Sequence, residues 1–184
     1  MNTHLQYQQD DIIHHLPLTL AVWVQPQDES RNGLSYATVA LVGNDGTMTL
    51  LRSVINPDPE IPFNLDVALA RELSIETFRT ATEGYVLVFY DADKDLEILN
   101  GYVSADADVC NAQRHLAEAF GDYDEHHQLK TCSFDDVIER LGISGGKAPH
   151  QALTNAARLL EAWTWSIEDY LETRPSTDTS LSFQ

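Results

Sequence analysis

Two hydrophobic periods divide this chain. Leu18 to Val24 is a largely apolar run of β-formers and reads as a strand. Gln25 to Gly33 is polar and reads as a loop. Leu34 to Gly43 is a second strand, Asn44-Asp45-Gly46 is a hairpin turn signal, and Thr47 to Val54 is a third strand. The prolines between Ile55 and Pro62 exclude helix and central strand. A helical region then runs through Ala81. Tyr85 to Tyr90 is an apolar β run that breaks at Asp91, and beyond it Leu96 and Leu99 are spaced to share a helix face. Val109 to Phe120 is predicted as an amphipathic helix on Ala112, Leu116 and Ala119. Ser133 and Asp136 come close to a capping box for a short helix, Phe134 to Leu141, which Gly142 ends. The last helix starts at Pro149, carries the stripe Leu153, Ala156, Leu160, Trp163 and Ile167, and stops before Arg174-Pro175.

Three strands, a helix, a strand and further helices make an α/β layout with a mixed sheet. Short connections among the first three strands make them an antiparallel meander and argue against a doubly wound, all-parallel sheet. The expected organisation is a polar arm over residues 1–15, one domain over 16–172 and a tail over 173–184. A chain of 184 residues suits one core. The strand, polar turn and helix from Tyr85 to Leu99 put Asp95 near the C-terminal end of a buried strand, where ligands bind in open α/β sheets. The plainer role for that turn is structural, with Asp91 capping the helix.

Composition narrows this further. Apolar content is 43%. No apolar run has membrane-spanning length, the N-terminus is polar, and Cys110 and Cys132 have no metal-ligand spacing. A cytoplasmic protein with free thiols and no membrane partner is expected. His4, His14 and His15 lack an acid or cysteine at a metal-binding spacing. Eleven Lys and Arg against 29 Asp and Glu give a net charge of −18. Phosphate neutralisation supplies much of nucleic-acid affinity, so weak or no independent nucleic-acid binding is expected. An acidic face suits a basic protein partner, or simply keeps the surface soluble.

The order of these elements, with Ile55-Asn56-Pro57, the segment Val88-Phe89-Tyr90-Asp91-Ala92-Asp93-Lys94-Asp95-Leu96-Glu97-Ile98-Leu99 and the helix start Pro149-His150-Gln151-Ala152-Leu153-Thr154-Asn155-Ala156, resembles the DnaQ-like 3′–5′ exonucleases of the DEDD superfamily. The resemblance covers roughly Pro17 to Leu171. It implies a ribonuclease H-like fold: a mixed sheet of an antiparallel three-strand meander plus parallel strands, flanked by helices. It also implies two-metal phosphodiester hydrolysis, with four carboxylates on two divalent ions and a histidine taking the water's proton. The family's first two carboxylate positions fall at Trp23 and Gln25 and the fourth at Asn155. Only the third, Asp95, and the base, His150, are kept. One carboxylate with two amides and an indole is a poor magnesium site.

The expectation is therefore a catalytically inactive, exonuclease-like binding or regulatory module in DNA replication, repair or mobile-element defence, with no cofactor. Two alternatives stay open. One is an active exonuclease holding Mg or Mn through Asp91, Asp93 and Asp95 beside His150; Asp28 and Glu29 would need a register shift to join them. The other is an acidic DNA mimic that inhibits a basic nucleic-acid-binding protein. Trp23 and Phe89 offer rings for base stacking, and core packing explains both equally well. The tail Asp178-Thr179-Ser180-Leu181-Ser182-Phe183 resembles the peptides that dock on the bacterial polymerase sliding clamp, with Leu181 and Phe183 as anchors.

Overall fold

The computed structural model describes residues 17–31, 34–55, 65–144 and 150–173. The arm at 1–15, the proline connection at 56–62, Pro149 and the tail from 174 onward lie outside the described residues. Three strands open the fold: β1 (Thr19–Arg31), β2 (Leu34–Gly43) and β3 (Met48–Ile55). Helix α1 (Leu65–Thr82) leads into β4 (Val86–Phe89) and α2 (Ala92–Ile98). Then come β5 (Val109–Asn111), α3 (Ala112–Phe120), α4 (Phe134–Leu141) and α5 (Gln151–Thr173).

The sheet order is β3-β2-β1-β4-β5. β1 pairs antiparallel with β2, and β2 with β3, as the meander requires. β1 pairs parallel with β4, Val22 opposite Phe89, and β4 pairs parallel with β5. The result is an α/β fold with one mixed sheet between two helical layers.

Alternation along β1 divides the core. Leu20, Val22 and Val24 turn to one face, where Leu87 and Phe89 join them under Ile75 and Phe78 of α1 and Leu99 and Tyr102 beyond α2. Ala21 and Trp23 turn to the other, with Val88 and Tyr90, under Leu116 of α3, Val137 of α4 and Leu159 and Trp163 of α5. The expected stripe of α5 is the face that packs, with Ala152, Leu159, Ala162 and Ser166 adding fully buried positions.

Two expectations need correction. The stretch from Gln25 to Arg31 is not a loop; it continues β1, with Gln25 opposite Thr38 and Gln27 opposite Tyr36. β4 pairs only with Thr19 to Val22 of β1. Beyond that point no described strand pairs with this side of β1, which tolerates the missing donor of Pro26, and Pro26 and Gln27 are exposed. Val109 to Asn111 is not the first turn of a helix but the edge strand β5. Asn111 then caps α3, its side chain accepting from the Arg114 amide at 3.3 Å. The short helix α4 has the expected capping box, with Ser133 and Asp136 bonded reciprocally.

Candidate functional site at the C-terminal edge of the sheet

β4 ends at Phe89, opposite Val22, while the parallel strand β1 runs on to Arg31, so the edge at the C-terminal end of β4 lies against the middle of β1. Trp23 and Gln25 lie on β1 at that edge, Tyr90 and Asp91 just past β4, and Asp95 one turn into α2. His150 precedes α5 and Asn155 lies half-buried in its second turn. Ala152, Leu153 and Ala156 of α5 pack with Trp23, whereas α2, which carries Asp95, packs Ala92 and Leu96 on the opposite face of the sheet. Trp23, Tyr90 and α5 meet along this edge.

Aromatic rings fill the middle of it. Trp23 is half-buried, wedged between the α4 side of the core and the group of Ala40, Ala152, Leu153 and Ala156 under α5. Its ring centroid is 4.6 Å from that of Phe134, and Phe134 is 5.0 Å from Tyr90, edge on. The segment carrying Phe134 is tied down by the Cys132 carbonyl, which accepts from the Tyr90 hydroxyl at 2.7 Å and from Gln113 Nε2 at 3.1 Å. Burial pushes the Tyr90 phenol up to about 12, so it stays a neutral donor. Phe89 is fully buried on the opposite face of the sheet from Trp23. The two rings share no surface, so they offer no joint platform for a base.

The three aspartates of this turn differ in setting. Asp91 is the N-cap of α2, its side chain accepting from the Lys94 amide at 3.3 Å. Asp93 is exposed in the first turn. Asp95 is half-buried, and its carboxyl is pushed up to about 7, chiefly by loss of water, with Asp91 adding to the shift and Lys94 opposing it. Among the described residues, no group of three or more His, Cys, Asp or Glu side chains could hold a metal ion. Trp23, Gln25, Asp95 and Asn155 do not fit two divalent ions either: an indole brings no oxygen, and one carboxylate brings too little charge.

His150 is exposed and used structurally. Its Nδ1 accepts from the Ala152 amide at 3.1 Å, and its carbonyl accepts from the Thr154 amide at 3.1 Å. A neutral imidazole bonded this way carries its proton on Nε2. The lone pair a general base would need is already engaged with the helix.

Beside the aromatic cluster lies a polar cavity of about 760 Å³, bordered by Asp91, Asp93, Asn111, Gln113, Arg114 and Asp169. Sequence reasoning singled out only the two aspartates. The signal for Asn111, Gln113 and Arg114 was a second strand, polar cap and helix at Val109–Arg114, which follows the same pattern as Phe89–Lys94. Reading Val109 as helical hid it.

Among the described residues, no helix is long and apolar enough to cross a membrane. No family model, curated protein or solved structure matches the chain.

Proposed function

We propose that this chain is a ribonuclease H-like, exonuclease-type domain that no longer hydrolyses phosphodiesters and serves as a protein-binding module in DNA replication, repair or mobile-element defence. An antiparallel meander joined through β1 to parallel strands is the layout that the sequence resemblance implies. The observation that carries the loss of hydrolysis is the Trp23–Phe134–Tyr90 packing, which takes up the edge where metal ligands would sit. The engagement of His150 Nδ1 points the same way. On this reading the module needs no metal, and its partner is a protein. The clamp-like peptide with Leu181 and Phe183 makes a bacterial sliding clamp the first partner to try.

The test is a gel assay on 5′-labelled single-stranded DNA and RNA with Mg²⁺ and separately Mn²⁺. Asp95→Ala and His150→Ala proteins run alongside. The expected result is no shortening, or shortening unchanged in both variants and so due to a contaminant. Metal-dependent shortening from the 3′ end that both variants lose would overturn the reading. Fluorescence anisotropy of a labelled 174–184 peptide on purified clamp, with Leu181→Ala and Phe183→Ala as controls, tests the partner.

A further inference from the structure

The first half of α1 touches the core only along one side, where the Ser74 hydroxyl accepts from the Val54 amide at 3.3 Å and Arg71 Nη2 donates to the Asn100 carbonyl at 2.7 Å. No residue from Leu65 to Ser74 is buried, whereas Ile75, Phe78 and Thr82 in the second half are. Leu65, Leu69 and Leu73 are 67%, 59% and 64% exposed. A spacing of four places them in one stripe about 12 Å long. A helix of a globular domain normally turns its one apolar stripe inward. This helix gives its second half to the sheet and leaves a separate row of leucines in water. Leu18, also exposed, extends the row from just before β1.

Leu18, Leu69 and Leu73 border a groove of about 1060 Å³ at the N-terminal ends of β1 and β4. Its rim is acidic, with Glu72, Glu76, Glu83 and Asp106. Among the described residues one cation lines it, Arg79, and that guanidinium is already engaged: Nε donates to the Tyr102 carbonyl at 3.1 Å and Nη2 to the Gly101 carbonyl at 2.9 Å.

We propose that this groove docks a basic amphipathic helix of a partner protein. Apolar anchors three or four residues apart meet Leu69, Leu73 and Leu18, and flanking lysines or arginines meet Glu72 and Glu76. Charge selects this occupant. A second copy of a chain with net charge −18 would set the same acids against each other. The stretches of sequence that precede Pro17 and Leu65, 1–16 and 56–64, contain no Lys or Arg. A basic helix supplies both what the leucines lack and what the rim lacks, and the whole protein's field draws it in. The groove lies at the opposite edge of the sheet from the aromatic cluster, so the inference does not rest on whether that edge is catalytic.

The experiment is fluorescence anisotropy of the full chain with a labelled synthetic Lys/Leu peptide of amphipathic helical order, and with a scrambled peptide of the same composition. The expected result is saturable binding of the ordered peptide and roughly tenfold or more weaker binding of the scrambled one. Leu69→Ser/Leu73→Ser and Glu72→Lys/Glu76→Lys proteins should each lose roughly tenfold or more, with unchanged melting because these side chains are exposed. Equal affinity for both peptides would reduce the effect to bulk charge and overturn the proposal. So would binding unchanged in both variants. A wild-type dimer in sedimentation that Leu69→Ser/Leu73→Ser dissolves would assign the groove to a second copy and also overturn it.

Discussion

The centroids of the Trp23 and Phe134 rings sit 4.6 Å apart, tilted by 45°, just past the point where β4 stops pairing with β1. Trp23 comes from the sheet and Phe134 from the first turn of α4, so the contact closes the sheet edge with a separate element. Phe134→Ala should lower stability by about 2–3 kcal/mol, somewhat under the loss for a fully buried ring because Phe134 is half-buried. Phe134→Leu should recover much of that. Urea unfolding followed by tryptophan fluorescence measures both. A loss near zero for Phe134→Ala would mean that the rings touch without sealing the edge.

His150 acts on α5 through its ring nitrogen, as a cap. His150→Ala should therefore cost about 1 kcal/mol, the usual size for losing an N-terminal cap. His150→Asn, which keeps a short side-chain acceptor, should cost less than His150→Ala. A catalytic base would give the opposite ordering of concerns: activity lost in both variants and stability untouched. Thermal melts of the three proteins separate the two roles.

The sequence was most legible where period and cap agreed. Helix α4 has its predicted ends because Ser133, Asp136 and Gly142 mark both of them. The meander was legible because Asn44-Asp45-Gly46 fixes one turn and alternation fixes the faces. β5 was not, because a three-residue strand has no period to detect and its Val109-Cys110 pair merges with the helix behind it. The far half of β1 was hidden by Pro26 and the polar run after it, which are tolerated only because β4 stops pairing at Val22. At the site, the sequence exposed an indole at 23 and amides at 25 and 155. It did not expose Phe134, whose place over Trp23 depends on a contact 111 residues away in the chain.

Both cysteines should react slowly. Burial raises the Cys110 thiol first and the Asp108 carboxylate adds to it; Cys132 is raised by burial and then by Asp122, against the opposing pull of Arg140. The thiolate is the nucleophile, so iodoacetamide at neutral pH should label both more slowly than a free model thiol. Asp122→Asn should speed labelling of Cys132 and leave Cys110 unchanged. Mass spectrometry of timed digests reads the two sites separately. Faster labelling of Cys132 than of the model thiol would contradict this account.

Asp95 sets a pH dependence of definite sign. Its carboxyl titrates at about 7 in the folded protein against an ordinary value of 3.8. Between those limits the folded state keeps a proton that the unfolded chain has released. Stability from this group is therefore full below about pH 4 and is lost as pH rises toward 7. The span is on the order of 2–4 kcal/mol. Asparagine cannot ionise and fits the same space, so Asp95→Asn should match the wild type near pH 4 and exceed it in stability at pH 8. The gap should open between about pH 4 and 7. Urea unfolding of both proteins across that range measures it, because titrating groups that do not interact with Asp95 cancel in the difference. A gap that stayed constant with pH would show that Asp95 ionises as freely in the folded chain as in the unfolded one.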